Sequence, residues 1–147
     1  MTRSPTDSHI QAWARLIRAS QRVLGAVEAD LKAAGFPPLA WYDVLLELRR
    51  AEQHRLRPLD IEARLLLAQH NVSRLVDRLE KAGYVQRAPC AEDGRGQMVV
   101  LTDGGADLLR RMWPAYAAAI EAHVGTKLSV EEADQLAQLL APLTASG

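Results

Sequence analysis

The sequence predicts a mainly α-helical fold that also contains one small β-hairpin, an α+β class. Apolar residues recur at helical spacing along most of the chain. Two short β-branched or apolar runs, residues 84–87 and 97–101, flank a glycine-containing sequence that favours a turn. With 147 residues, of which 48% are hydrophobic, the chain can bury a core and fits a single domain, residues 1–147.

Composition and charge narrow the possible classes of function. Cys90 is the single cysteine, which excludes an intrachain disulfide and favours a reducing compartment. The N-terminus lacks the apolar run of a signal peptide and no stretch is long enough to span a bilayer, so we expect a cytoplasmic protein without membrane contact. The formal net charge is zero, but residues 49–95 contain ten Lys or Arg against seven Asp or Glu. This local surplus has the sign that nucleic-acid binding requires.

A long first helix is predicted from a cap at Asp7 or Ser8 to about Ala34, with Gly35 as its stop. At 1.5 Å per residue it would be roughly 38 Å long, about the width of a small domain. We therefore expect part of it to pack on a second copy of the chain, whereas packing wholly on its own subunit is the alternative. The apolar residues that recur every seven positions are Ile10, Ile17, Leu24 and Leu31.

Two further helices are predicted after the break at Phe36-Pro37-Pro38. The second helix covers residues 40–50. A polar connection follows, in which Leu56 adds a minimal strand. A short third helix covers residues 58–65, because Pro58 is tolerated in a first helical turn.

A fourth helix is predicted over residues 69–82, reached through a tight connection at Leu66 and ended by Gly83. A short helix, a tight connection and a second helix with a basic face form a helix-turn-helix pattern. The apolar face of the fourth helix consists of Val72, Leu75, Val76 and Leu79.

The polar face of the fourth helix is the candidate DNA-binding surface. Recognition helices place residues of their first turns against base edges, where Asn or Gln pairs with adenine and Arg with guanine. A solvated face crossed by helical ion pairs is the alternative, since Asp77 and Glu80 also point outward. The candidates for base contacts are Gln69, His70, Asn71, Ser73 and Arg74, and those for phosphate contacts are Arg78, Lys81 and Arg87.

The hairpin that follows has a basic tip over residues 92–96. Arg95, between two glycines, can extend into a DNA minor groove, and Asp93 can orient it. An ordinary glycine-rich hairpin is the alternative.

Two C-terminal helices complete the chain. The first begins at Thr102 or Asp103, is expected to kink near Pro114, and ends at Gly125. The last begins with a capping box at Ser129 and reaches about Pro142. Its predicted buried stripe consists of Ala133, Leu136, Ala137, Leu140 and Leu143.

Residues from about 60 to 105 resemble the MarR family of bacterial winged-helix transcription regulators. The combination of matching residues is specific, although each part alone is a weak signal. The matches are Val72-Ser73-Arg74-Leu75-Val76-Asp77-Arg78-Leu79-Glu80, Gly83-Tyr84-Val85, Arg87, Asp93-Gly94-Arg95 and Leu101-Thr102-Asp103-Gly104-Gly105. Three residues depart from the family pattern: Glu62 replaces a small apolar residue, Leu66 replaces Gly, and Gly94 replaces Arg.

The resemblance implies a winged helix-turn-helix lobe over residues 40–102, with dimerisation helices over 8–35 and 103–143. It implies a homodimer on a pseudo-palindromic double-stranded operator. Asn71, Ser73 and Arg74 would enter the major groove and Arg95 the minor groove.

Members of this family often release DNA when a small, frequently aromatic molecule binds. The candidates to line such a pocket are Trp13, Trp41 and Tyr42, and the alternative makes them core and dimer-interface aromatics. We expect no cofactor and no metal site, because the four histidines are scattered without ligand spacing. Cys90 is expected to be an inert thiol, with a redox role as the alternative.

These observations predict a homodimeric, sequence-specific DNA-binding transcriptional regulator, a repressor released by a small ligand. The sequence contains no readable nucleophile–base pair, metal cluster or phosphate loop, so we do not expect an enzyme. The alternative is a dimeric protein-interaction module on the same fold without specific DNA binding, which the zero net charge and Asp77 motivate.

Overall fold

A computed structural model describes residues 2–90 and 96–145 of the chain. Helices dominate it, and three short strands form one antiparallel sheet, which confirms the predicted fold class. The elements in chain order are α1 (Asp7–Ala33), α2 (Leu39–Arg50), β1 (Arg55–Leu56), α3 (Pro58–Arg64), α4 (Val72–Lys81), β2 (Val85–Pro89), β3 (Gln97–Leu101), α5 (Asp103–Ile120) and α6 (Val130–Thr144). A 3₁₀ turn, Glu52–His54, precedes β1, and a π-helical turn, Glu121–Gly125, follows α5.

The described chain forms two compact units. One unit contains the residues up to Asp30 and those from Tyr116 onward. The other, Leu31–Ala115, contains α2, α3, α4 and the sheet, and is called the winged lobe below. Helices α1 and α5 each have residues in both units.

The sheet of the winged lobe has the strand order β1-β3-β2. Strands β2 and β3 form the predicted hairpin, with Val85 opposite Leu101 and Pro89 opposite Gln97. The minimal strand predicted at Leu56 is present and pairs with Val99 of β3. The sheet thus ties the segment before α3 to the base of the hairpin.

The core of the winged lobe comes from the apolar faces of its helices and sheet. The predicted apolar face of α4 is buried along its whole length. Each aliphatic side chain buried in this way contributes about 1.5–3 kcal/mol to folding. The fully buried side chains of the lobe are Leu31, Val44, Leu45, Leu48, Ile61, Val76, Leu79, Val99, Leu108, Leu109 and Met112.

Glycine ends α1 and α4 as predicted, and both ends have the Schellman pattern. Gly83 has φ +86°, and its N–H donates to the Glu80 carbonyl while the N–H of Tyr84 donates to the Leu79 carbonyl. Gly35, with φ +82°, follows the same pattern at the end of α1. Glycine adopts this left-handed backbone without steric cost, so the two helices end sharply.

Several predicted boundaries are corrected by the structure. Helix α4 begins at Val72, not at Gln69, because the Asn71 side chain caps it there. Helix α5 stops at Ile120, before the predicted end at Gly125, and the π-helical turn Glu121–Gly125 follows it. Helix α5 continues through Pro114, and the kink expected there stays a prediction.

The predicted buried stripe of α6 is wrong for the single chain. No residue of α6 is buried, and its large apolar side chains Leu136, Leu139 and Leu143 are exposed. The helical periodicity is present, but periodicity does not say what covers the face. Within the described residues, no helix is both long and apolar enough to cross a membrane.

Candidate nucleic-acid interface

The first turn of α4 is fixed by its own N-cap. The Asn71 Oδ1 atom accepts a hydrogen bond of 2.9 Å from the backbone N–H of Arg74, which satisfies one of the free donors at the helix start. The sequence predicts base contacts for Asn71, and the structure gives its side-chain oxygen this capping bond. Gln69 and His70 precede the helix, the first half-buried and the second exposed.

The connection between α3 and α4 is held by Asp43 of α2, which the sequence prediction missed. Its Oδ1 accepts from the N–H of Leu66 at 3.0 Å and its Oδ2 from the N–H of Leu67 at 2.8 Å. Asp43 is 6% exposed, and it is the buried charged side chain of the described core. The available signal was an acidic residue directly before the apolar run Val44-Leu45-Leu46 of α2.

The Asp43 contacts explain why Leu66 can stand where the family pattern has Gly. Among the described residues, the non-glycine positions with positive φ are Gln53 and His54, so Leu66 does not need a left-handed backbone. Its side chain is exposed and does not have to fit a core. The turn is therefore specified by two bonds to a carboxylate instead of by glycine flexibility.

The outward face of α4 carries four of the predicted DNA-binding side chains. Ser73, Arg74, Arg78 and Lys81 are all exposed. Within the described part of the chain, no ion pair neutralises the three cations. Because the opposite face is fully buried, the backbone that carries them is held rigidly.

Arg87 of β2, predicted as a phosphate contact, lies among acidic groups of α4. Its guanidinium is paired with Asp77 and lies 3.5 Å from Glu80 Oε1. Its backbone N–H donates to Glu80 Oε2 at 2.9 Å, and its Nη2 donates to the Ser73 carbonyl at 3.4 Å. Arg87 therefore fastens β2 to α4, and its charge is largely matched inside the lobe.

The base of the hairpin is closed by a hydrogen bond of 2.8 Å from the Cys90 N–H to the Gly96 carbonyl. Cys90 itself is buried. The predicted tip residues Asp93 and Arg95 lie outside the described residues, as does Gly94.

The start of α5 is locked to the end of α4 by the Leu101–Gly105 segment. Thr102 Oγ1 donates to the Gly83 carbonyl at 2.7 Å and accepts from the Gly105 N–H at 3.1 Å. A Cβ at Gly105 would lie 2.2 Å from the Tyr84 carbonyl oxygen, so no larger residue fits without displacement. This close approach supplies a physical reason for the Leu-Thr-Asp-Gly-Gly sequence.

The three aromatic residues predicted for a ligand pocket occupy different settings. Trp41 packs edge-to-face on Tyr84, with ring centroids 6.0 Å apart. Tyr42 is buried, and this desolvation raises the pKa of its phenol, while Arg49 and Arg50 act in the opposite direction. Trp13, on α1, is 66% exposed and belongs to the other unit.

The described residues contain no cluster of three or more His, Cys, Asp or Glu side chains able to hold a metal ion. His123 instead pairs with Asp30 at 2.8 Å.

Known proteins with similar sequences identify the class of protein to which this fold belongs. A family model described as the MarR family matches residues 34–96. The regulator YkoM of Bacillus subtilis is 31% identical over 144 residues, which covers 95% of this chain and 91% of YkoM. The regulator PrsX of Escherichia coli is 36% identical over 96 residues, 65% of this chain. The chain spans only 57% of the length of PrsX.

Solved structures agree over nearly the whole chain. Sco3205 of Streptomyces coelicolor, a MarR family regulator determined in complex with DNA, has 28% identity and a TM-score of 0.86 over 97% of this chain and 89% of its own. AbsC from the same organism has 28% identity and a TM-score of 0.83, covering 97% and 95%. A mutant of MarR from E. coli, complexed with operator DNA, has 25% identity and a TM-score of 0.79, covering 97% and 100%.

The fold and the exposed helix α4 define a winged helix-turn-helix protein. Within that class, the chain belongs to the MarR family, whose matched members are transcription regulators and not enzymes. The resemblance of residues 60–105 to this family is confirmed.

Proposed function

We propose that the protein is a homodimeric transcriptional regulator that binds a pseudo-palindromic, double-stranded operator. The single observation that carries this proposal is the face of α4, where Ser73, Arg74, Arg78 and Lys81 are exposed on a helix whose other face is fully buried. A rigid helix with exposed cations on its outer side fits a DNA major groove. The solved DNA complexes of Sco3205 and of the MarR mutant support the same use of the fold.

The proposal assigns separate tasks to the residues of this face. Ser73 and Arg74 lie in the first turn of α4, where recognition helices contact base edges, so they would read sequence. Arg78 and Lys81 lie further along the helix and would contact phosphates. Asn71 would act mainly through its cap, which holds the N–H of Arg74 and with it the first turn.

Salt dependence separates these two tasks experimentally. Fluorescence anisotropy with the DNA upstream of the protein's own gene should give a preferred fragment whose affinity falls steeply with salt. Arg74→Ala should reduce the free energy of operator binding by about 1–3 kcal/mol and relax the sequence preference. Lys81→Ala should weaken binding to all duplexes alike and lower the slope of log affinity against log salt by about one. Arg18→Ala, on the exposed surface of α1, is the control with the same charge change.

Two results would overturn the assignment. One is equal affinity for the upstream DNA and for random duplex at every salt concentration. The other is an Arg74→Ala variant that binds as the Arg18→Ala control does.

Repression and ligand release are the finer part of the proposal. The transcriptional repressor MprA of E. coli is 30% identical over 109 residues, 74% of this chain and 61% of MprA, which supports a repressor. Release by a small aromatic ligand rests on the family resemblance, with Trp13, Trp41 and Tyr42 as candidate contacts. A thermal-shift screen of small aromatic acids, followed by anisotropy competition, should yield a compound that raises the melting temperature and releases DNA. If no compound that raises the melting temperature also releases DNA, the proposal of ligand-induced release is wrong.

A protein-interaction module without specific DNA binding is the second candidate. The observation that favours it is the pairing of Arg87 with Asp77 and Glu80, which neutralises one predicted phosphate contact. Replacing Arg74 and Arg95 together by Ala distinguishes the two functions. A DNA reader loses operator affinity, whereas an interaction module retains its protein partner.

A further inference from the structure

The exposed surface of α4 carries two parallel stripes of polar residues. Residues at positions i, i+4 and i+7 of a helix lie along one stripe, and each residue turns the helix by about 100°. One stripe, called the basic stripe, consists of Arg74, Arg78 and Lys81. The other, called the acidic stripe, has the same spacing one residue earlier and consists of Ser73, Asp77 and Glu80.

The acidic stripe is contacted along its whole length by Arg87 of β2. The guanidinium of Arg87 pairs with Asp77 and lies 3.5 Å from Glu80 Oε1. Its Nη2 donates to the Ser73 carbonyl at 3.4 Å, and its backbone N–H donates to Glu80 Oε2 at 2.9 Å. One residue of β2 therefore contacts α4 from its first turn to its last, over about 10 Å of helix length.

These contacts leave little of the Arg87 side chain for DNA. The side chain is only 20% exposed. The donors of a guanidinium form a rigid planar fork, and here that fork is directed at acceptors of α4. A DNA phosphate could take this guanidinium only by displacing it from Asp77 and Glu80.

The basic stripe has no comparable partner. No ion pair involves Arg74, Arg78 or Lys81 in the part of the chain that the structure describes. Asp77 lies three residues after Arg74 and four before Lys81, and side chains at both spacings can pair on a helix. Because Asp77 pairs with Arg87 instead, its carboxylate does not compete with DNA for these cations.

From these contacts we propose that Arg87 is a positioning residue for DNA recognition and does not itself contact a phosphate. It holds the acidic stripe, so that the basic stripe stays free to bind DNA. It also ties the first turn of α4, which carries Arg74, to β2. A side chain that contacts a base must be placed within about 0.5 Å, so this tie affects sequence reading. The inference rests on the proposed DNA-binding function.

Sequence preference distinguishes a positioning residue from a phosphate contact. A phosphate contact carries no sequence information, so its loss weakens binding to all duplexes by the same factor. Loss of a positioning residue displaces the side chain that contacts the base, and therefore lowers the ratio of operator affinity to random-duplex affinity. Arg87→Lys is the sharpest variant, because it retains the charge and loses the planar fork.

Fluorescence anisotropy with the preferred upstream fragment and with a random duplex gives this ratio for the full chain. Arg87→Lys should weaken operator binding about tenfold and random-duplex binding less than about twofold, with an unchanged salt slope. Arg78→Lys makes the same chemical change on the basic stripe, and should lower both affinities by one common factor. Stoichiometric titration with the operator corrects each affinity for any unfolded protein.

A second pair of variants tests the competition by Asp77. Arg87→Gln frees this carboxylate to pair with Arg74 or Lys81, so it should weaken operator binding. Adding Asp77→Asn should restore most of the lost affinity, whereas Asp77→Asn alone should change it less than about twofold. If Arg87 contacts a phosphate, Asp77→Asn releases Arg87 from its partner, and the gain in affinity is then at least as large in the wild type as in Arg87→Gln.

The proposal is overturned if Arg87→Lys lowers the affinities for both duplexes by the same factor. It is also overturned if Asp77→Asn restores no affinity to Arg87→Gln. Equal affinity of the wild type for the two duplexes would instead contradict the proposed function, and this result is read from the wild type alone.

Discussion

At the scale of single residues, Asp43 has the most specific role in positioning the recognition helix. Its buried carboxylate accepts hydrogen bonds from the N–H groups of Leu66 and Leu67, which belong to the turn that leads into α4. A hydrogen bond to a charged acceptor contributes about 1.5–3 kcal/mol. The geometry of the helix-turn-helix therefore depends on a side chain outside the motif.

Asp43→Ala should destabilise the protein by about 1.5–3 kcal/mol, because two part-buried N–H groups of the turn lose a charged acceptor. Urea unfolding measures this loss, and amide exchange at Leu66 and Leu67 should accelerate far more than at Leu45 of α2. Asp134→Ala, an exposed acidic residue of α6, is the control and should change stability by less than about 0.5 kcal/mol. Unchanged exchange at the two turn amides would show that Asp43 does not hold the turn.

Gly105 offers a second residue-scale test. A Cβ there would lie 2.2 Å from the Tyr84 carbonyl oxygen and 2.7 Å from Leu101 Cδ1. Gly105→Ala should lower the melting temperature markedly, since backbone must move to admit the methyl group. Gly25→Ala in α1, where a Cβ meets nothing within 4 Å, should leave stability unchanged or raise it by up to about 1 kcal/mol. Equal melting temperatures for the two variants would contradict the close approach.

Residue roles were only partly predictable from the sequence. Ser73, Arg74, Arg78 and Lys81 are exposed on α4 as helical spacing required. Arg87 was predicted as a phosphate contact, and its pairing with Asp77 and Glu80 was not foreseen, because these partners meet it only when β2 folds back beside α4. Asp43 was missed for the same reason, since its partners lie more than twenty positions away.

At the scale of elements, the sequence predicted helix ends well where a capping residue such as glycine or serine lies directly beside the end of the helix. Gly35 and Gly83 end their helices with the expected left-handed backbone, and Ser129 begins α6 with a complete capping box. The predicted start of α4 is too early because Asn71 was assigned to base contacts and not to the cap. A side chain that can cap a helix or contact a ligand is ambiguous until the structure shows its partner.

The capping box of α6 predicts a specific dependence on pH. Hydrogen bonds from Ser129, its backbone N–H first, lower the pKa of the Glu132 carboxyl. A lowered folded-state pKa means that ionised Glu132 stabilises α6 fully above its ordinary pKa of about 4.3, and that this contribution is lost as pH falls through the lowered value.

Glu132→Gln should therefore lower the melting temperature at pH 7, and this effect should become smaller as the pH falls through the lowered pKa of the wild-type carboxyl. Glu131→Gln, one position earlier in the same first turn, is the matched control because it removes the same charge without the box. Thermal unfolding followed by circular dichroism between pH 3 and 7 gives the comparison. If the melting temperatures of both variants change with pH in the same way, the pH dependence comes from the helix dipole and not from the capping box.

At the scale of the whole molecule, the remaining question is what covers the exposed apolar faces. On α1, Ile10 is 51% and Trp13 66% exposed, and on α6, Leu139 is 72% and Leu143 69% exposed. Each pair lies at helical spacing, so each helix presents an apolar stripe. The sequence predicted apolar stripes that include Ile10 on α1 and Leu143 on α6, although not Leu139. It could not distinguish a core from an interface, since both require the same periodicity. Soluble monomers rarely leave such stripes open, and a second copy of the chain is the partner that the family resemblance implies.

A charge placed in this stripe should separate the subunits. Leu139→Glu would bury a carboxylate against apolar surface in a dimer, a cost of several kcal/mol per site because the interface is two-fold and contains the change twice. Sedimentation equilibrium should give a dimer for the wild type and a shift toward monomer for the variant. Leu59→Glu, at a leucine 78% exposed on α3, is the control and should remain dimeric. Because a pseudo-palindromic operator needs two recognition helices, Leu139→Glu should also lose operator affinity although its α4 face is intact. A monomeric wild type, or a variant that remains fully dimeric, would assign the stripe of α6 to a different partner.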